Sequence, residues 1–213
     1  MWDFKNASSA ASLLILVSCG ATDVSSPGER PIDTNQALQS SMPASIRNAE
    51  QLRATFSELT GVPLGLEDLS SEFADTSASL PMEGSLEGAG FSTQLGVVRF
   101  AAAYCNFVFI NSFRNWPTML ERRRLIVTDA ERELATAAQV QNFWNSARAN
   151  AVVTEMLSQY WGPDRPGLGL KRAEHVSEML ALARQLASGE NNNRDVLAGL
   201  CTAALSSYQV TSL

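Results

Sequence analysis

From residue 48 onward, apolar side chains recur at intervals of three and four, the repeat of α-helices that bury one face. Asn48, with Gln51 three residues on, makes a capping-box pattern. Leu52, Phe56 and Leu59 follow in register, and Gly61 and Pro63 supply the stop. A second helical segment over 67–79 aligns Leu69, Phe73 and Leu80 and ends at Pro81. Glycines at 84, 88 and 90 make 82–90 a loop. Ser92 then reads as the cap of a helix over 93–111, whose polar side chains between Leu95 and Ile110 are Arg99 and Asn106, with Tyr104 amphipathic. A helix apolar nearly all round belongs at the centre of a core. A membrane span is disfavoured, because about 20 apolar residues are needed and Arg99 interrupts this shorter run.

Asn115-Trp116-Pro117 marks the next break and opens a helix over 118–126. Thr128 with Glu131 is a second capping box, predicted to start a helix that reaches at least Gln139. A break near 142–146 precedes a helix over 147–161, and Gly162 to Gly167 form a loop. Helix 170–188 lines up Val176, Leu180, Ala183 and Ala187, a turn follows at 191–193, and helix 194–207 closes the chain. No alternating strand pattern and no internal repeat interrupts this series. The expectation is a single all-α domain of six to eight helices over 44–213.

The N-terminal end has a different grammar. Lys5 and the α-amino group outweigh Asp3, and a short apolar run over 10–17 leads to Leu16-Val17-Ser18-Cys19-Gly20. The run is too short to span a bilayer of about 30 Å. The pentapeptide resembles the lipobox of bacterial lipoproteins: an aliphatic residue, two tolerant positions ending in a small one, then cysteine. The resemblance implies that the Cys19 thiol receives a diacylglyceryl group, that residues 1–18 are removed, and that the new amine is acylated as well. Several acyl chains hold where one binds only marginally, at about 0.8 kcal/mol per buried methylene. An ordinary cleaved signal peptide with an incidental cysteine, or a buried N-terminal helix, is the plainer alternative. Trp2, Asp3 and Phe4 depart from the usual signal-peptide start. Gly20 stands where Asp would retain such a protein at the inner membrane, so the resemblance favours the outer membrane. Residues 19–43 follow as a lipidated N-terminus and flexible tether, rich in Ser, Pro, Asp and Thr and too poor in large apolar groups to order themselves. Such a coil reaches roughly 25–30 Å.

Charge and chemistry narrow the classes. With 16 basic and 22 acidic residues the chain carries a formal charge of −6, which argues against nucleic acid as a partner. Of its 3 cysteines, Cys19 is assigned to lipid. Cys105 and Cys201 both lie on apolar helical faces, beside Phe109 and Ala102 and beside Leu197 and Leu205. In an oxidising compartment they suit a disulfide that locks the closing helix to the central one, with two separately buried thiols as the alternative. His175 is the single histidine, so a site with several His ligands is excluded within one chain. With Glu174 and Glu178 it fits an acid–base pair or, more simply, a solvated helix edge. No Gly-x-Ser-x-Gly, phosphate-cradling loop or His-Glu-x-x-His occurs, and no cofactor or metal is expected. Arg99 pairs with a carboxylate at the edge of the core or faces an anionic ligand in a cleft. Arg122, Arg123 and Arg124 span nearly a full turn and read as a solvated face with Glu121, or as a contact for lipid phosphates or an acidic partner.

Three short stretches carry a further resemblance: Asn48-Ala49-Glu50-Gln51-Leu52 with Leu59-Thr60-Gly61-Val62, Tyr104-Cys105 inside an apolar helix, and Cys201 to Ser207. Together they resemble a helical module of Gram-negative envelope proteins that is sometimes accompanied by LamG-type domains. The resemblance covers most of 45–210, implies that Cys105 and Cys201 belong to the pattern, and brings no catalytic residue with it. The expected function is therefore a non-enzymatic one. It is that of a lipid-anchored envelope protein engaged in assembly, adhesion or scaffolding, with membrane lipid and an envelope protein as partners. A periplasmic enzyme or small-ligand-binding protein, its site lined by Arg99 or the 82–90 loop, is the alternative.

Overall fold

A computed structural model describes residues 47–77, 91–111, 116–162, 169–189, 191–207 and 210. The chain divides into two units, 1–41 and 42–213, and all the described residues lie in the second. Among them the architecture is all-α, as the periodicity predicts. The helices are α1 (Ala49–Thr60), α2 (Glu67–Ser77), α3 (Phe91–Phe109), α4 (Pro117–Ile126), α5 (Asp129–Arg132), α6 (Ala137–Trp144), α7 (Ala147–Trp161), α8 (Gly169–Ala187) and α9 (Asn193–Leu205).

The apolar helix is the central one. Phe100, Ala101, Tyr104, Cys105, Val108 and Phe109 of α3 are buried, and α3 makes its most extensive contact with α9, then with α2 and α1. On the α1–α2 side an aromatic cluster fills the interface. Phe100 stands 5.8 Å from Phe56, 5.4 Å from Phe73 and 5.2 Å from Tyr104, in tilted or edge-on arrangements that suit the ring quadrupoles. The Tyr104 hydroxyl donates to the Arg53 carbonyl at 3.2 Å, and burial pushes its pKa up to about 12 against the opposing pull of Arg53. On the other side the predicted stripe of α8, Val176, Leu180, Ala183 and Ala187, is buried.

Local signals explain most boundaries. Asn48 and Gln51 form the expected reciprocal capping box, and Gly61, at φ 72°, ends α1 in the left-handed conformation with its N–H on the Ser57 carbonyl. Pro117 occupies the first turn of α4. Asn192 caps α9 by accepting from the N–H groups of Arg194 and Asp195.

Several expectations need correction. Helix α3 starts at Phe91, so Ser92 lies inside it and is not its cap. The helix stops at Phe109 because the N–H groups of both Ile110 and Asn111 turn onto the Asn106 carbonyl. The helix opened by Thr128 and Glu131 does not reach Gln139: it is the single turn α5, and Thr136 with Gln139 makes a fresh capping box that begins α6. This split brings the described helices to nine, beyond the six to eight expected. The predicted signal and tether (1–43), Leu80, Pro81, the 82–90 loop and most of the 162–167 loop fall outside the described residues.

Candidate functional site

The densest polar chemistry gathers around α5. Arg123 on α4 and Arg132 on α5 are 3% and 7% exposed, although nothing in local sequence distinguishes them from surface arginines. Both guanidinium groups point at the C-terminal end of α3. Arg132 donates to the Phe109 carbonyl at 3.2 Å, and Arg123 approaches the Val108 carbonyl at 3.5 Å. Helix α3 has no basic residue in its own last turn, so these cations supply from a distance what the carbonyl end of a helix dipole favours. The predicted solvated face at Arg122–Arg124 therefore holds for Arg124, which is 62% exposed, and fails for Arg123.

Carboxylates neutralise the buried cations. Asp129 accepts from Arg123 at 2.7 Å and from Arg124 at 3.3 Å, and Glu133 pairs with both Arg132 and Arg194. Burial alone would raise the Asp129 carboxyl, but the two arginines outweigh it and hold the group below its ordinary value. Glu131 is gripped as a fork by Arg148, at 2.7 and 3.1 Å, and also closes the capping box with Thr128. The Arg148 bonds, more than offsetting burial, bring its pKa down to about 2.

Asn193, fully buried at the start of α9, completes the network. Its amide nitrogen donates to the Glu131 carbonyl at 2.6 Å, its amide oxygen accepts from the Trp144 indole at 2.6 Å, and its backbone N–H reaches the Leu134 carbonyl at 3.0 Å. The one-turn helix α5 is thereby tied to α3, α4, α7 and α9. Five guanidinium groups share three carboxylates here, and the buried Nε atoms of Arg123 and Arg132 find no hydrogen-bond partner among the described residues; the cluster ties helices together as a joint without balancing every charge.

Cys105 and Cys201 form a disulfide between the last third of α3 and the second half of α9, with Cα atoms 5.7 Å apart and both residues fully buried. Across 96 positions of sequence it is the covalent counterpart of the largest helix contact. The Tyr160 hydroxyl donates to the Cys201 sulfur at 3.5 Å. Cys19 lies outside the described residues.

The other candidates are dispersed. Arg99 is 55% exposed and pairs with Glu72 of α2 at 3.3 Å, which is the carboxylate-paired edge of the core and not a cleft. His175 stands 3.1 Å from Glu178 and edge-on to Trp161, partly exposed on α8. No described group of three or more His, Cys, Asp or Glu residues is placed to hold a metal ion, and no described helix is long and apolar enough to cross a membrane.

The feature that sequence reasoning missed is the outer face of α4. Pro117, Leu120, Glu121, Arg124 and Leu125 line an open depression of about 460 Å³, and Leu125 is 59% exposed. Two leucines, a carboxylate and a guanidinium offer no nucleophile and no acid–base pair. They offer contact. The signal was the spacing of 117, 120, 121, 124 and 125 along one side of a short helix, obscured in sequence by three consecutive arginines.

No protein-family model, curated protein or solved structure matches the chain.

Proposed function

We propose that this chain is a lipid-anchored protein of the bacterial cell envelope, exported by residues 1–18 and held to a membrane through acylated Cys19. Its helical body would serve assembly, adhesion or scaffolding by contact with an envelope protein. The observation that carries this reading is the partition of the cysteines. Of 3 in the chain, the two in the folded body are bridged, which suits an oxidising compartment. The third ends an apolar leader in a lipobox-like sequence. The contact-type chemistry of the outer α4 face supports a role in binding a surface over one in turnover.

The test is fractionation after expression in a Gram-negative host. The wild-type chain is expected in the detergent-soluble outer-membrane fraction with its first 18 residues removed. Cys19→Ala is expected to lose processing at that bond and acylation together. Recovery of Cys19→Ala in the same fraction, cut at the same bond, would sink the reading.

A further inference from the structure

Helix α4 has two opposed stripes. Met119, Arg123 and Ile126 face the core, while Pro117, Glu121, Arg124 and Leu125 are exposed and Leu120 is half-buried along their edge. Among the described large hydrophobic residues Leu125 is the most exposed, at 59%. Glu121 makes no hydrogen bond or ion pair with a described residue, and Arg124 holds only the exposed Asp129, at 3.3 Å. The stripe is therefore apolar and charged, with Glu121 unpaired among the described residues and Arg124 held by one exposed carboxylate.

Its order is self-complementary. From 120 to 125 the sequence runs Leu, Glu, Arg, Arg, Arg, Leu. Read in reverse, the leucines exchange places and the outward acid and base exchange sign. Two copies of α4 running antiparallel about a two-fold axis between 122 and 123 would set Glu121 at the height of the second copy's Arg124, twice. Leu120 would stand at the height of Leu125, also twice. The arginines nearest the axis do not oppose this. Arg123 is turned into the body on Asp129, and Arg122 is part-buried on the flank of the helix. An anionic lipid surface fits less well, because the unpaired Glu121 carboxylate sits in the middle of the stripe.

We infer that the outer face of α4 is a self-association surface, an isologous antiparallel contact with a second copy of this chain. This goes beyond the anchoring reading and does not depend on it. A stripe on a ten-residue helix offers less than the roughly 800 Å² per partner of a standard stable interface, so the dimer is a weak, reversible one.

Sedimentation velocity of the full chain, from about 1 μM to about 1 mM, should show a monomer–dimer equilibrium. Glu121→Arg and Arg124→Glu, each with unchanged helical circular dichroism, should weaken it at least about tenfold by placing like charges opposite each other twice. An equimolar mixture of these two variants should restore the dimer as a heterodimer, since every 121–124 pair is then of opposite sign. The double variant Glu121→Arg/Arg124→Glu should restore it within one chain. Leu125→Asp, at a position 59% exposed, should abolish it and provides a readout independent of Asp129. A wild-type monomer throughout the range, association indifferent to the charge swaps, or single variants not rescued by mixing would each overturn the inference. So would a monomer whose binding to vesicles of anionic phospholipid is lost in Leu125→Asp, which would assign the stripe to lipid.

Discussion

Single side chains decide how the helices meet, and Asn193 does so most economically. It satisfies a buried indole N–H and two carbonyls on three different segments. Asn193→Ala leaves the Trp144 N–H and the Glu131 carbonyl without partners, so we expect a loss of about 2–4 kcal/mol in urea unfolding. Glu131 adds a pH dependence. Its carboxyl lies near 2 in the fold against an ordinary 4.5, so folding favours the ionised form. That stability is fully present above about pH 4.5 and disappears as pH falls through about 2, with Asp129 and Glu133 acting in the same direction. Glu131→Gln keeps an amide able to close the cap but should flatten stability over that window and cost about 1 kcal/mol at pH 7, since Arg148 is 42% exposed and the pair is partly screened by solvent. Melting curves at stepped pH read both effects. Neither residue declares its role in sequence. Asn193 looks like the last of three turn asparagines, and its partners Trp144 and Glu131 lie 49 and 62 positions away, beyond any local pattern.

Helix by helix, several boundaries were legible from local caps, though Ser92 misled and the Thr136–Gln139 box went unread. Asn48–Gln51, Gly61, Pro117 and Thr128–Glu131 all act where the pattern puts them. The misread helix after Thr128 carries its own correction in Thr136 and Gln139, a capping box hidden by the helix-forming run between the two. What no pattern reveals is that α3 ends on guanidinium groups borrowed from α4 and α5. Gly61 gives the sharpest test at this level. Its φ is 72°, and a Cβ there would sit 2.8 Å from the Met119 backbone nitrogen, so both the conformation and the approach of α1 to α4 demand glycine. Gly61→Ala should cost about 2–4 kcal/mol, combining left-handed strain with displacement of backbone. A change in melting temperature within error would show that α1 and α4 are less closely apposed than described.

At the level of the whole molecule, the described core is largely apolar, and around α5 Arg123, Arg132 and Asn193 are buried in it. The core is stapled once, at Cys105–Cys201, while charge is paired around α5 and contact chemistry is presented on α4. The all-α architecture and the cysteine pairing were readable because apolar periodicity and the facing of two inward cysteines are properties of single helices. The α4 surface was not, because it exists only once Arg123 has turned inward. The bridge closes a loop of 96 positions and should stabilise by up to about 4.7 kcal/mol in the chain-entropy model. Replacing both cysteines by alanine should lower the urea midpoint accordingly with little change in helical signal. The most direct measurement is the intact mass of the protein extracted from membranes and alkylated under denaturing, non-reducing conditions. The expected chain begins at Cys19 and carries acyl groups, with no alkyl label and a mass two hydrogens below that of the reduced form. A chain that retains residues 1–18 unacylated, or that takes up label at both Cys105 and Cys201, would contradict this expectation.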